Sequence, residues 1–364
     1  MQILTLKELR SRVTASEMVD TLLHVQVANV HPKTTKDGKP YFEVHFIDHS
    51  DKILLRAWSG GDVYVLCDSL EDGHCVELSG EFNHHPSFGL DSKNWKFRAL
   101  NATERTALMG GPREIRERQE ADFQFIAETV QSLVDPRLRI LCEMFLVENG
   151  DRFRRTAAAR SFHHARRGGL VEHTAQMMRS ACALATVYQK LNRDLLVAGV
   201  LFHDSGKLWE NHVSEDAFHI EHCERGELLG HINMGIEIVN SLWRQLKADD
   251  AFATWKGVVP SSESVRLHLL HLIASHHGEM AFGSPVVPKT PEACALHYID
   301  NLDAKMEMVF NGYTTAQKVA TNIYDKVRPL PGYLIEPLKL FPTDTDQTGG
   351  WIAPTETAPE TPAA

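Results

Sequence analysis

The sequence has few of the marks of a disulfide-linked protein or a zinc–thiolate protein. Its 364 residues include six cysteines, which are scattered along the chain and form no Cys-X-X-Cys pair. Closely spaced cysteines are typical of disulfide-rich folds and of structural zinc sites. Their absence excludes both classes and predicts free thiols in the reducing environment of a cytoplasm.

Long hydrophobic runs and an excess of positive charge are also missing. No segment approaches the roughly 20 apolar residues of a transmembrane helix. The first residues, 1–6, lack a basic region followed by an apolar core, so we expect neither a membrane span nor a signal peptide. The net charge of −10 excludes a broad electrostatic surface for nucleic acid. Any nucleic-acid contact must therefore depend on local charge.

The N-terminal part of the chain alternates like a series of β-strands. Residues 41–48 place Phe42, Val44 and Phe46 on one face and polar residues on the other, and Asp37-Gly38 marks a hairpin turn before them. The other predicted strands cover residues 22–30, 52–58, 63–66, 75–82 and 95–100. About five short strands within roughly 80 residues are typical of a small closed barrel.

The hydrophobic pattern changes at about residue 103. From there apolar residues recur at helical spacing, as at Phe123, Ile126 and Val130. The tail is rich in Pro, Thr, Glu and Ala and offers little to bury, so we expect disorder there. The length also favours more than one domain. We therefore predict a multidomain protein: an all-β OB-type barrel over 1–102, an all-α domain over 103–338, and a disordered tail over 339–364.

Histidines and acids are spaced through the helical part in a way that predicts a metal site. Imidazole and carboxylate groups without cysteine are the ligand mixture of Mn, Fe, Co, Zn or Mg sites. One such residue alone is usually a core or surface residue, but burying the whole set without partners would be costly. Gly206 would let the backbone turn, and Lys207 predicts that the metal acts on a phosphate. In chain order the set is His173, His203-Asp204-Ser205-Gly206-Lys207, His231, His276-His277-Gly278 and Asp300.

Several long segments resemble a known family. Residues 163–174, 226–232, 275–279 and 296–305 resemble, in this order, the YhaM-type 3'-5' exoribonucleases, and the histidine–aspartate set resembles the two-metal branch of the HD-domain phosphohydrolases. The YhaM-type proteins join an N-terminal OB-fold to an HD domain. The resemblance covers nearly everything before about residue 340 and implies both domains here. The sequence departs from the family's pattern at Arg166 and Arg167 in the first segment, and in the tail.

The resemblance also implies two divalent metal ions, with Mn first and Fe, Co, Mg or Ni as alternatives. One ion would be held by His173, His203, Asp204 and Asp300, and the second by Asp204, His231, His276 and His277. Asp303 competes with Asp300 for the last position. We prefer Asp300 because residues 300–304 resemble the family's closing segment with its first acid as the ligand.

Two metal ions about 4 Å apart can activate a water and neutralise charge on a phosphodiester. Asp204 and Lys207 are the predicted catalytic residues, with the Lys207 ammonium on a non-bridging phosphate oxygen. Six arginines and no acid lie between residues 152 and 167. Arg suits phosphate through its planar fork. This run predicts a phosphate track, chiefly at Arg166 and Arg167, with a solvated helical face as the alternative.

Further candidates for substrate binding come from two places. His163 and His164 precede the first predicted ligand and are candidates to contact substrate phosphate, with a structural role as the alternative. In the barrel, Tyr41, Arg56 and Trp58 lie on faces opposite the aliphatic ones. OB-folds bind single strands with such aromatic and basic side chains, although packing is the alternative for each ring.

The combined prediction is a metal-dependent 3'-5' exoribonuclease that hydrolyses single-stranded RNA, with single-stranded DNA as a further substrate, to nucleoside 5'-monophosphates. We expect a cytoplasmic protein with no membrane partner, and the resemblance leaves a homo-oligomer open. One alternative is an HD-domain nucleotide or cyclic-dinucleotide phosphohydrolase; the second, a non-catalytic nucleic-acid adaptor, is disfavoured by the complete ligand set. The sequence has no Gly-Tyr-Pro segment of the kind that cyclic-dinucleotide enzymes carry.

Overall fold

The computed structural model describes residues 3–13, 17–85, 89–92, 94–160, 163–211, 213, 215–218, 220, 223–248 and 250–339, the side chains of 250 and 251 apart. The chain divides into two compact units, Met1–Glu307 and Met308–Ala364. Apart from residue 339, the predicted disordered tail lies outside the described residues.

The N-terminal part of the first unit is a seven-stranded sheet with two short helices, α1 (Leu6–Arg12) and α2 (Asp62–Cys67). The strands pair antiparallel in the order β4-β3-β2-β5-β6. Off this path, β7 pairs with β5, and β1 pairs with β2 in parallel. The strands are β1 (Ile3–Leu4), β2 (Val19–Thr34), β3 (Pro40–Ile47), β4 (Lys52–Trp58), β5 (Cys75–His85), β6 (Gly89–Asp91) and β7 (Lys96–Ala99).

The predicted hairpin and its inward face are confirmed. Thr34 ends β2 and Pro40 begins β3, and between them Gly38 adopts a φ of +80°, which only glycine takes without strain. Val44 and Phe46 of β3 are fully buried in an apolar cluster with residues of β2 and β5. Period-two alternation therefore placed the correct face of this strand toward the core.

Two details of the predicted β-region need a separate comparison with the structure. The predicted strand over 63–66 is wrong: these residues lie in helix α2, because a short apolar run has no period of its own. The preceding Gly60 turns the chain with a φ of +98°, and Asp62 favours the first turn of the helix through its negative charge. The second detail is closure of the barrel, which the strand pairing does not show: within the described residues the hydrogen-bonded path runs from β4 to β6, and these two strands do not pair.

The remainder of the first unit is helical. Helix α7 is buried on every side, from Leu195 to Phe202, which marks it as the central helix of this region's separate hydrophobic core. The helices are α3 (Ala102–Gly110), α4 (Arg113–Gln131), α5 (Pro136–Arg155), α6 (Gly169–Val187), α7 (Arg193–Phe202), α8 (Lys207–Glu210), α9 (Glu224–Ala248), α10 (Asp250–Ala253), α11 (Ser262–Ser275), a 3-10 helix (Met280–Phe282) and α12 (Pro291–Thr315), whose last residues belong to the second unit.

The second unit contains a small antiparallel sheet in the order β10-β9-β8. Its strands are β8 (Lys318–Ala320), β9 (Ile323–Tyr324) and β10 (Leu334–Ile335). The expectation of an all-α domain that extends to residue 338 is therefore wrong after Thr315. Strands of two or three residues are too short to show alternation in a sequence.

Two expectations about chain chemistry can be compared with the fold. The six cysteines are all free thiols, as their scattered positions predicted. None of the helices in the described part of the chain combines the length and the hydropathy of a bilayer-spanning helix.

Candidate metal centre

The seven predicted ligand residues come from five helices and meet at one place. Helix α7 ends at Phe202 and delivers His203 and Asp204 directly from the middle of the core. The others arrive from the helix ends and faces around it: His173 from α6, His231 from α9 after the bend at Gly230, His276 and His277 after α11, and Asp300 from α12. Residues that are up to 127 positions apart therefore share one site, as Asp300 and His173 show by a contact of 3.4 Å.

Asp204 lies at the centre of this group, between two sets of imidazoles. Its Oδ2 is 3.3 Å from Nε2 of His203 and 3.7 Å from Nε2 of His173. Its Oδ1 is 3.6 Å from Nε2 of His231 and 3.7 Å from Nε2 of His276. The two oxygens of one carboxylate thus face two different histidine pairs.

The remaining two predicted ligands extend these sets. Asp300 Oδ1 lies 3.4 Å from Nε2 of His173, on the Oδ2 side of Asp204. His277 Nε2 lies 3.2 Å from Nε2 of His231, on the Oδ1 side. His173, His203 and Asp204 form one group able to hold a metal ion, and His231, His276 and His277 form another.

All five imidazoles are oriented by a contact on the opposite ring nitrogen. A backbone carbonyl can only accept, so Nδ1 donates in the three rings that contact carbonyls, and Nε2 keeps its lone pair. Metal-binding histidines are held in this way by outer partners. The Nδ1 contacts are His203 to Val200 O (2.8 Å), His276 to Ile273 O (2.8 Å), His277 to Phe282 O (2.7 Å), His173 to Asp303 Oδ2 (2.7 Å) and His231 to Glu210 Oε2 (2.7 Å).

Two buried polar atoms of this group have no hydrogen-bond partner, Asp204 Oδ1 and His276 Nε2. Leaving such an atom unpaired costs about 1–3 kcal/mol. A divalent cation between the two atoms would satisfy both, since each offers a lone pair. The donor set therefore fits the metal ions that the sequence predicted.

The protonation states of these two side chains fit the same conclusion. Burial, together with the nearby His203 and His277, holds the pKa of His276 well below its ordinary value, so its imidazole is neutral. Burial alone would raise the pKa of Asp204, but Lys207 and His203 outweigh it and hold that pKa well below its usual range. A neutral imidazole and an ionised carboxylate are the forms that bind metal.

His173 differs, because acids surround it. Burial would lower its pKa, but Asp300 and Asp303 outweigh that effect and raise the pKa to about 10. Metal binding at His173 would therefore release a proton.

Asp303 and Asp300 hold opposite sides of the same imidazole. Asp303 Oδ2 lies 2.7 Å from Nδ1 of His173 and 3.0 Å from Nε2 of His164. Asp300 lies instead beside Nε2 of His173, the nitrogen that faces Asp204. This geometry favours Asp300 as the ligand and gives Asp303 the task of orienting His173.

Lys207 and Gly206 pack tightly against the ligands. Lys207 Nζ lies 2.6 Å from Asp204 Oδ2, so its ammonium is already in the centre. The backbone does turn at residues 203–206, between α7 and α8, but the Gly206 φ of −65° is open to any residue, so this turn does not require glycine. A Cβ at this position would instead lie 2.0 Å from the carbonyl oxygen of His231. Gly206 is required because α8 and α9 approach closely here.

The two predicted substrate histidines lie in different surroundings. His164 is buried with a φ of +44°, and its ring contacts Asp303 at 3.0 Å and Glu172 at 3.5 Å. The His163 ring is tilted against that of His173, with ring centroids 5.9 Å apart, and its buried Nδ1 has no hydrogen-bond partner. Burial and the nearby Lys207 lower the pKa of His163 to about 4. Nδ1 of His164 also has no hydrogen-bond partner, but it lies 3.5 Å from the Glu172 carboxylate, with which it forms an ion-pair contact.

The arginine run from 152 to 167 is committed to partners within the protein. Arg166 pairs with Glu172 and with Glu307, and its neighbour Arg167 donates to two backbone carbonyls. A substrate phosphate would have to compete with these partners. The other contacts are Arg154 with Glu120 (2.6 Å), Arg155 with Glu215 (3.4 Å), Arg160 with Glu227 (2.6 Å), and Arg152 over the Trp209 ring (5.1 Å).

Arg167 takes part in a clamp on the segment 215–218, which lies between α8 and α9. Its guanidinium donates to the carbonyls of Glu215 (3.2 Å) and Ala217 (3.1 Å). The fully buried Gln26 of β2 donates to the Asp216 carbonyl (2.5 Å) and accepts from the Phe218 amide (2.9 Å). The clamp therefore joins the N-terminal sheet to the loop between two ligand-bearing segments.

The three predicted sheet residues lie together on β3 and β4. Tyr41 and Trp58 are cross-strand partners whose rings stack with centroids 4.7 Å apart, and Trp58 is 46% exposed. Arg56 Nε lies 3.3 Å from Glu43, its own cross-strand partner, and Lys33 Nζ lies 2.8 Å from the same carboxylate. One acid thus offsets both nearby cations.

The sequence prediction missed two residues that support the ligands. Glu210 anchors His231, and His297 donates from Nδ1 to the His276 carbonyl at 2.9 Å. Glu210 follows Lys207 by one helical turn, and this spacing was the available signal. His297 lies within a segment that resembles the family, but no pattern assigned it a task.

Comparison with known proteins agrees with this geometry. Residues 170–305 match the HD domain family, and this range includes all seven predicted ligands. A crystal structure from Leishmania major Friedlin, described as an aspartyl-tRNA synthetase, shows 14% sequence identity over 41% of this chain, with a TM-score of 0.21. This chain spans about a third of that protein, 33%, and the TM-score is too low to indicate a shared fold. Together with the histidine and aspartate groups, the match of residues 170–305 to the HD domain family indicates a metal-dependent phosphohydrolase domain.

Proposed function

We propose that this protein is a metal-dependent 3'-5' exoribonuclease that hydrolyses single-stranded RNA, and also single-stranded DNA, to nucleoside 5'-monophosphates. One observation carries the proposal: Asp204 presents each of its carboxylate oxygens to a different pair of imidazole Nε2 atoms. A carboxylate between two sets of ligands is suited to bridge two cations. Two-metal sites are widely used to hydrolyse phosphodiesters.

The proposed ligand sets follow the two sides of Asp204. His173, His203, Asp204 and Asp300 would hold one ion, and Asp204 with His231, His276 and His277 would hold the other. Two divalent ions, Mn before Fe, Co, Mg or Ni, would supply Lewis acidity and a nucleophilic water.

The residues of the chain have separate tasks in this proposal. Asp204 would hold both ions in place. Lys207, whose Nζ lies beside Asp204 Oδ2, would place its ammonium on a non-bridging phosphate oxygen of the substrate. His163, with its unpartnered Nδ1, would hydrogen-bond the same phosphate group.

The N-terminal sheet supports nucleic acid as the substrate. We propose that it is a partly open OB-type barrel, because β4 and β6 lie beside each other at the two ends of the hydrogen-bonded path. The Trp95 indole, between β6 and β7, also donates to the Arg56 carbonyl of β4 at 3.2 Å. Tyr41 and Trp58 would stack on bases. The affinity of this face for nucleic acid would be modest, because the negative charge of Glu43 offsets the positive charges of Arg56 and Lys33.

The proposed division into a nucleic-acid-binding domain over 1–102 and a hydrolytic domain over 103–338 is supported by the two separate hydrophobic clusters, one in the sheet and one in the helices. The free cysteines are consistent with the proposed cytoplasmic location.

A second candidate is a phosphohydrolase of free nucleotides or cyclic dinucleotides at the same metal centre. The pairing of the arginine run with internal partners favours it, because a long RNA would gain little from cations that are already committed. The two candidates share the centre and differ only in the substrate.

The deciding experiment compares substrates directly. The full chain is incubated with Mn²⁺ and a 5'-labelled single-stranded RNA, with the same RNA blocked by a 3'-phosphate as a control, and in parallel with nucleotides and cyclic dinucleotides. We expect a ladder that shortens from the 3' end. Turnover of only the small nucleotides would replace the proposal with the second candidate, and RNA binding without any turnover would contradict both.

A further inference from the structure

We propose that Phe282 and Met280 form a subsite for the nucleobase of the substrate's terminal nucleotide, at the mouth of the metal centre. This inference rests on the proposed function, because it assumes that a nucleotide phosphate binds at the metal ions. Neither residue is part of the predicted ligand set or of the predicted substrate contacts.

Differences in exposure locate the mouth of the centre. His173, His203 and His276 are fully buried, whereas the His231 side chain is 13% exposed and His277 is only partly buried. His231 and His277 are neighbours, with Nε2 atoms 3.2 Å apart. The centre is therefore open to solvent at the His231–His277 pair, and also at Asp300, whose side chain is 19% exposed.

Large apolar side chains are exposed beside this pair. On one side, the 3-10 helix that follows His277 carries Met280 (72% exposed) and Phe282 (62% exposed). On the other side, Leu228 and Leu229 come just before His231 and are also exposed. Contiguous exposed apolar groups are typical of binding surfaces.

Phe282 is held in a defined position relative to the metal ligands. Its backbone carbonyl lies 2.7 Å from Nδ1 of His277. The helix ends at Gly283 with a φ of +90°, and the next residue, the buried Ser284, donates to the Ala274 carbonyl at 3.2 Å. These contacts fix the backbone of residues 282–284 relative to α11 and to His277.

The chemistry of a nucleotide matches this surface. When its phosphate is at the metal ions, its base lies one sugar away from them. A base presents a flat apolar face whatever its identity, and an exposed aromatic ring stacks on it without sequence preference. Met280 would add a polarisable contact beside the ring. The subsite therefore binds the base and selects nucleotides over simple phosphodiesters.

The test is a substrate comparison with Phe282→Ala. The substrates are a single-stranded RNA and the same RNA with an abasic 3'-terminal residue, both with Mn²⁺. We expect Phe282→Ala to raise KM for the ordinary RNA by roughly 10-fold and to leave KM for the abasic RNA unchanged. Phe282→Tyr and Phe282→Trp should restore the ordinary KM. Tyr188→Ala, which removes an exposed aromatic ring at the end of α6, is the matched control and should change neither KM.

Other outcomes overturn the subsite while leaving the nuclease proposal intact. Equal KM values for wild type and Phe282→Ala on ordinary RNA would overturn it. An equal loss on both RNAs would do so as well, because the effect would then come from the position of His277. The Mn²⁺-induced rise in Tm, which reports the ligands, should be the same in wild type and in Phe282→Ala.

The subsite can also be tested if wild type does not cleave RNA. The binding of adenosine 5'-monophosphate and of ribose 5-phosphate is then measured by calorimetry with Mn²⁺. A preference for the base-bearing ligand that disappears in Phe282→Ala would support the subsite, although the exoribonuclease proposal had failed. Equal binding of the two ligands would overturn the subsite.

Discussion

The metal centre and the exposed face of β3 and β4 are both built from polar and aromatic side chains, but they differ in what these side chains leave unsatisfied. On the sheet, Tyr41 stacks on Trp58, and Glu43 pairs with both Arg56 and Lys33. In the metal centre, the imidazoles are anchored through Nδ1, whereas two buried atoms, Asp204 Oδ1 and His276 Nε2, have no partner.

This difference separates a site that needs a ligand from a surface that is complete without one. Unmet polar atoms in a buried site cost free energy that only a bound cation can recover. The sheet face of β3 and β4 has no such deficit, so we expect any contribution of this face to substrate binding to be small. Substitutions in the metal centre should therefore have large effects, and substitutions on the sheet should have small ones.

The largest expected effect is that of Asp204→Ala. Losing the residue between the two ligand sets should remove several kcal/mol of metal-based stabilisation of the transition state, which lowers turnover at least about 1,000-fold. RNA binding should be largely intact. Turnover is measured with Mn²⁺ and labelled RNA, and the Mn²⁺-induced rise in Tm should disappear in the variant. Asp151→Ala, an exposed acid of α5, is the control. Wild-type turnover in Asp204→Ala would remove the two-metal assignment.

A smaller effect is expected from Glu210→Ala. This substitution removes the carboxylate that contacts Nδ1 of His231 but leaves all seven proposed ligands in place. Loss of such an outer partner typically lowers metal affinity or activity about 10- to 100-fold. Glu210→Gln keeps an oxygen that accepts from Nδ1 and should lose less. Mn²⁺ titration of both variants measures the difference. Identical affinities for wild type and Glu210→Ala would mean that His231 does not bind metal through Nε2.

Gln26→Ala tests the clamp that connects the two regions. The substitution leaves the Phe218 amide and the Asp216 carbonyl without their buried partner, which should lower the free energy of unfolding by about 1–3 kcal/mol. Urea denaturation measures this, with the exposed Gln131→Ala as the control. A change no larger than that of the control would show that the clamp is not formed in solution.

The smallest effect is expected from Trp58→Ala on the sheet. One stacking ring is lost while Tyr41 remains, so binding of single-stranded RNA should weaken about fivefold, at the low end of base–aromatic stacking. Hydrolysis of very short oligomers should not change. Binding is measured by fluorescence anisotropy at fixed salt, with Tyr188→Ala as the control. If Trp58→Ala lost as much activity as a metal-centre variant, the predicted difference between the sheet face and the metal centre would be wrong.

Local patterns predicted the parts of this protein that depend on near neighbours. Alternation placed Val44 and Phe46 in the core, and Asp37-Gly38 marked the turn before them. Where a segment was too short for a period, as at 63–66 and in β8 to β10, prediction failed. The arginine run shows a second limit, since its acidic partners, such as Glu227 and Glu307, lie far along the chain.

The sequence by itself determined which chemical groups are available: five imidazoles and two carboxylates without cysteine, which is a ligand set for hard or borderline cations. Only the tertiary structure decided how they are used. The packing of five helices places Asp204 between two histidine pairs. The same packing brings Asp303, rather than Asp300, to Nδ1 of His173. It also brings Glu210 to Nδ1 of His231. The reason is geometric, because residue types follow from the chain, whereas the direction of each lone pair depends on contacts between residues that are distant in sequence.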